Sequence, residues 1–145
     1  MKFIIVFGLI SFSFFVNAES QKAFNINHKD KNISWGACPP IFPETCKLAV
    51  LHGDPAKPNA DLLLKATEGT KFIAHVHNSA ERMILVDGEM EVQYMGNKKQ
   101  ILKKGDYAFG PALMPHEAKC IKGTCYLFIA FEAPVNAEPY NGEIK

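Results

Sequence analysis

Two histidines one residue apart, His75 and His77, lie in the apolar run KFIAHVH, and Glu81 follows four residues after the second. On a strand, alternate residues share a face, so both imidazoles project together while Ala74 and Val76 project the other way. Asn78-Ser79-Ala80 turns the chain, and Glu81 opens the next run with Met83 and Leu85 on its own face. Two imidazoles and a carboxylate in apolar surroundings are costly to bury unless something compensates them. A divalent cation does so directly, and this donor type suits Fe, Mn, Zn, Ni or Cu. One histidine on an apolar face is more often a satisfied core residue than a ligand; the grouping is what points to a metal. His28, in a polar stretch, and His52, before Gly53-Asp54-Pro55, read as ordinary solvated or turn residues.

The elements that must hold these residues are short and rich in apolar and β-branched side chains. Candidate strands run over 48–52, 61–67, 71–76, 82–86, 89–95, 99–103, 106–110, 116–120 and 125–131, each bounded by a turn signal such as Glu68-Gly69, Gly96-Asn97 or Lys104-Gly105-Asp106. Asp87-Gly88 has the composition of a two-residue hairpin turn. No capped 3.6-residue apolar repeat appears, so the fold class is all-β, a single small sandwich or barrel. Residues 125–131 are apolar on both faces, which fits a strand between two sheets or at a homodimer interface. From Pro134 onward the chain reads as a surface extension.

The chain of 145 residues opens with Lys2 and an apolar run ending in Val16-Asn17-Ala18, the pattern of a signal peptide over 1–18. That run is shorter than the ~20 residues of a spanning helix, and Glu19 at the cleavage point offers no lipid-attachment cysteine, so secretion or a periplasmic location without a membrane anchor is expected. Residues 19–34 read as a loosely attached polar arm, leaving 35–145 as one domain. With 16 basic against 15 acidic residues and no basic cluster, nucleic acid is not an expected partner. Cys38, Cys46, Cys120 and Cys125 are even in number, which in an exported chain favours disulfides. Spacing favours Cys38–Cys46 around a proline-stiffened loop and Cys120–Cys125 across a hairpin; other connectivities, and a reactive Cys120, stay open at this level.

Gly69, five residues, His75-x-His77, three residues, Glu81, six residues and Gly88 match at every position the first motif of the cupin superfamily. At average residue usage a chance match is roughly a one-in-10⁴ event. Gly105, five residues, Pro111 and then His116 are similar to the second cupin motif. Leu113 stands where that motif has a glycine, which is expected to alter the turn before His116, and Cys120 stands where it has an asparagine. The resemblance covers about 48–132 and implies a single jelly-roll (cupin) β-barrel with one divalent transition metal on His75, His77, Glu81 and His116.

Four ligands on an octahedral metal leave two positions open, which permits chemistry. The expectation is a metalloenzyme acting on a small molecule, of dioxygenase, lyase or isomerase type; the alternative is a binding or sensor module that turns nothing over. Met83, Phe109, Met114 and Phe128 are candidate pocket walls, and Tyr94 and Tyr107 the side chains to test first for a catalytic role.

Overall fold

The computed structural model describes residues 22–145. The expected signal peptide, 1–18, and the first residues of the expected arm lie outside the described residues. The strands are β1 (Gly36–Ala37), β2 (Cys46–His52), β3 (Ala60–Ala66), β4 (Lys71–Val76), β5 (Glu81–Tyr94), β6 (Gln100–Leu102), β7 (Tyr107–Gly110), β8 (His116–Phe131) and β9 (Glu138–Pro139). All pair antiparallel, and among the described residues there is no helix. The curled sheet is a jelly-roll barrel of the expected all-β class.

Two long strands organise it. β8 pairs with β3 through Cys125–Phe131 and with β4 through its first residues, while β5 lies along its other side over the whole length. Met83, Leu85, Met90, Val92, Leu127, Ile129 and Phe131 carry the core between the layers. Inward positions on β5 are odd-numbered before residue 86 and even-numbered after 89. That switch comes from register shifts between Leu85 and Met90, where a bulge changes which face each residue takes.

Three expectations are corrected here. Asp87-Gly88 does not close a hairpin: the segments on either side of it are one strand, bent at a bulge. Likewise Cys120 and Cys125 do not flank a hairpin loop; both lie in β8, where extra residues bulge out opposite Asp87–Glu89 and the disulfide closes the bulge. Gly88, at φ +85°, is required there, because a Cβ would lie 2.8 Å from the Thr124 carbonyl oxygen and 2.9 Å from Cys125 Cα. The third correction concerns the arm. Ile33 is 8% exposed and packs with Ala49 and Leu63, and Trp35 joins them. His28 meets Tyr126 edge-on at 4.9 Å and approaches Asp87 at 3.4 Å, while Lys29 pairs with Asp87 at 2.8 Å. Part of the second apolar face of 125–131 is thus covered by the chain's own N-terminal segment.

The disulfides join Cys38 to Cys46 and Cys120 to Cys125. The C-terminal surface segment is tied to the barrel: β9 pairs with β4 at His75–Pro139 and Val76–Glu138, and the Tyr140 N–H donates to the Ala74 carbonyl.

Gly88→Ala should destabilise the protein by on the order of 3 kcal/mol, from left-handed strain plus the clash with β8. Gly123→Ala, at φ +67° with nothing within 4 Å of its Cβ, should lose only the strain component, about 1 kcal/mol. Urea denaturation of both variants checks the contrast; equal losses would show that the corner tolerates a side chain.

Candidate metal centre

His75 ends the run of β4 that faces the core, and directly across the ladder stands His116, the first residue of β8. His77 lies two residues on, past the end of β4, on the same buried face. The first residue of β5 is Glu81, opposite Phe131 at the far end of β8, whereas His116 is opposite Tyr94. Along a straight ribbon those two register positions would be separated by ~43 Å. The bend at the Gly88 corner brings them together: His116 Nε2 lies 3.1 Å from Glu81 Oε1 and His77 Nε2 lies 3.5 Å from Glu81 Oε2. One nitrogen from each of the three histidines lies within 4.8 Å of the others, and all four side chains are buried.

Backbone carbonyls set the roles of the ring nitrogens. His75 Nδ1 bonds to the Ile73 carbonyl at 2.7 Å, His116 Nδ1 to Met114 at 3.0 Å, and His77 Nδ1 to Asn136. A carbonyl only accepts, so each Nδ1 carries the proton, and each neutral ring turns an Nε2 lone pair inward. With all three rings neutral, Glu81 Oε1 faces lone pairs and has no donor among the described residues, although it is fully buried; a proton on His116 Nε2, 3.1 Å away, would supply one. Acceptors that converge in a buried site, with backbone carbonyls fixing the ring tautomers, are the arrangement a cation requires. Without one, extra protons must supply the charge.

Protonation follows from this crowding. Burial, then the neighbouring His116, depresses His75 to about 3. His77 is also lowered by burial, against the pull of Glu81. Burial alone would lower His116, but the hydrogen bond and charge of Glu81 outweigh it and raise the ring above its ordinary value. For Glu81 burial acts upward, and the His116 hydrogen bond with the surrounding imidazoles brings the net shift below the ordinary value.

Glycine makes room. A Cβ on Gly110 would lie 2.8 Å from both Cγ and Oε1 of Glu81 and 3.0 Å from Tyr94 Cε1. Leu113 takes φ +61°, a left-handed conformation that glycine would adopt without strain. Its N–H donates to the His77 carbonyl at 2.8 Å, tying that turn to the second histidine.

The four groups close one end of a cavity of about 70 Å³. Its wall is otherwise hydrocarbon from β3, β5 and β8, with Phe42 at 4.8 Å edge-on to His75 and Phe131 at 5.3 Å edge-on to His77. Met83 lines it as expected from its place beside Glu81. Phe109, Met114 and Phe128 do not. On β7 the inward positions are Ala108 and Gly110, which leaves Phe109 51% and Tyr107 58% exposed. On β8 register turns Leu127, Ile129 and Phe131 inward and Phe128 outward, and Met114 serves through its carbonyl. Tyr94 is half-buried, its ring 5.1 Å from that of His116, with a buried hydroxyl that has no partner among the described residues. Its ionisation is strongly opposed by burial and by Glu81.

Phe42, Gly110 and the Asn136 carbonyl are site components that sequence reading missed. Gly110-Pro111, inside the second motif, was an available signal for one of them. The other two come from segments far from either motif.

A family profile described as ChrR Cupin-like domain matches residues 25–134. No curated protein matches the chain. Among solved structures, DMSP lyase DddQ from Ruegeria pomeroyi DSS-3 is similar at 18% identity and TM-score 0.65, over 77% of this chain and 64% of that one. KdgF from Halomonas sp. is similar at 20% identity and TM-score 0.60, over 80% and 96%. An RmlC-like cupin from Shewanella frigidimarina gives 21%, TM-score 0.59, and 72% and 86% coverage. The chain spans just under two thirds of the length of the DMSP lyase chains it matches, 63% and 64%. Likeness at these identities establishes the fold.

Gly110→Ala should weaken metal binding by more than roughly tenfold, by displacing Glu81, an effect of the size seen when supporting residues of a metal site are lost. Competition with a chelating indicator reads it; unchanged affinity would mean Glu81 can shift without cost. In chelator-treated protein, stability should fall as pH is lowered from 6.5 toward about 3, because unfolded His75 binds a proton that the folded residue refuses. His77 and Glu81, both lowered, add to this loss. Raised His116 opposes it, contributing stability below 6.5 that is lost as pH rises through its folded value. Urea midpoints at several pH values between 4 and 7.5 check the sum, and a flat profile would contradict it.

Proposed function

Because the chain belongs to the ChrR cupin-like domain family, we propose that it is a cupin holding one divalent transition metal on His75, His77, Glu81 and His116 and acting on a small molecule in the adjoining cavity. The observation that carries this reading is the buried Glu81 carboxylate among three inward-facing imidazole nitrogens, a cluster of acceptors while the rings are neutral. Three imidazoles and one carboxylate fit iron, manganese, nickel, copper or zinc. When bound, such a metal supplies a Lewis acid that polarises a ligand oxygen or activates water.

The chain's own residues bind and orient. Ile73, Met114 and Asn136 carbonyls hold the imidazoles in one tautomer, Glu81 supplies the negative charge, and Phe42, Met83 and Phe131 keep water from the centre. Among the lyase, isomerase and dioxygenase types, similarity in fold to a DMSP lyase favours lyase chemistry on a small substrate. One observation favours the second reading, a module that holds a metal-bound ligand without turnover. Outside the four proposed ligands, the cavity wall offers no acid or base among the described residues. In either case the two disulfides are consistent with an extracellular or periplasmic location, to which the leader-like residues 1–18 would direct the chain.

Elemental analysis of protein purified without an affinity tag should find about one equivalent of transition metal, and His77→Ala should lower metal affinity by more than roughly 100-fold while leaving the β-rich circular dichroism unchanged. Equal metal content in both proteins would overturn the assignment. Oxygen uptake or product formation on a panel of small acids and enols separates the enzyme from the binding module.

A further inference from the structure

Resting on the metal-site reading above, we infer that the cavity takes a small amphiphile: one metal-binding head and an unbranched or lightly branched hydrocarbon body, without a second polar group. The wall carries this. Among the described residues, no lysine, arginine, serine, threonine, tyrosine or glutamine lines the cavity. Its polar side chains are the four proposed ligands and Asn136, together with Cys38, which is held in its disulfide.

Asn136 is already committed. Its backbone carbonyl accepts from His77 Nδ1, its Oδ1 accepts from the Asn78 N–H at 2.8 Å, and its Nδ2 donates to Glu138 at 3.3 Å. The histidine Nδ1 atoms are committed to carbonyls as well. The unpaired acceptors of the proposed ligands therefore lie at one end of the cavity, where the Nε2 atoms and Glu81 Oε1 converge. A hydroxyl or charge further along a ligand would meet Leu62, Leu64, Val92, Leu102 and Ile129 and leave its own polar atoms unpaired.

Size and charge narrow the class further. A volume of about 70 Å³, roughly half a dozen water-sized groups, suits a short chain as the body. A divalent ion with Glu81 leaves one net positive charge, which one anionic head neutralises. Short aliphatic acids are the simplest members of this class, and polyols, dicarboxylates and amino acids are excluded from it.

The test uses the full-length mature protein loaded with Co²⁺ and reads ligand binding from the visible absorbance of the cobalt centre. Acetate, propanoate, butanoate and pentanoate present one head with a growing body; 4-hydroxybutanoate and succinate present that head with a polar far end. Each added methylene should tighten binding roughly fourfold until the cavity is full, as transfer of a CH₂ from water to an apolar wall predicts. Butanoate should bind at least about tenfold more tightly than succinate or 4-hydroxybutanoate. Succinate or 4-hydroxybutanoate binding as well as butanoate, no gain along the series, or no spectral response to any acid would overturn the inference while leaving the metal site standing. Failure to bind Co²⁺, or equal binding by His77→Ala, would instead overturn the proposed metal centre and this inference with it.

Discussion

Antiparallel pairing of β5 with β8 is the constraint on which the other features depend. Their ladder runs from Glu81–Phe131 to Tyr94–His116, and it bends far enough for its two ends to meet. Straight, it would hold the carboxylate and the third histidine several nanometres apart. Bent, it places them 3.1 Å apart and encloses the apolar cavity between them. The candidate centre is thus the seam where the barrel closes, and the bulge opposite the Cys120–Cys125 bridge is the hinge of that closure.

Close approach at the seam requires residues without side chains or with unusual backbone geometry. Gly88 lets β5 touch β8 at the corner, and Gly110 lets Glu81 and Tyr94 share one space. Leu113 shows the same demand from the other direction, holding a left-handed backbone that glycine would adopt without strain. That conformation persists because the Leu113 N–H is bonded to His77 and because His116 must follow at a fixed offset. The left-handed backbone of Leu113 lies next to the site, in a segment that its neighbours hold in place.

Two segments outside the ladder complete the centre. The disulfide-closed loop at Cys38–Cys46 sets Phe42 against His75, and the strap at 135–140 supplies the carbonyl that orients His77. Both also line the cavity, so the groups that fix the imidazoles also limit what reaches them. The result is a polar end and an apolar body with no third character, and it is this contrast that defines the proposed ligand.

Much of the candidate site was legible from residue type and spacing. His75-x-His77 on a strand must share a face because side chains alternate, and a carboxylate beginning the next strand has few places to go. The second motif named His116. Strand positions were also legible, since alternation and turn residues are local properties. Which turns reverse the chain and which merely bend it was not: Asp87-Gly88 and Lys122-Gly123 look like hairpin turns, and only pairing between strands far apart in sequence makes them two sides of one corner. The same long-range register decided that Phe128, Phe109 and Tyr107 face outward while Ile129, Ala108 and Gly110 face inward, because one extra residue at a bulge reverses every face that follows. Asn136 and Phe42 were beyond local reading for a related reason, as their contributions are a carbonyl and a ring edge delivered by distant segments. The sequence by itself determined the donor atoms and the β-strand alphabet, both set within a few residues; tertiary structure alone decided the closure that brings the donors together, because it depends on how two strands more than twenty residues apart fit along their whole length.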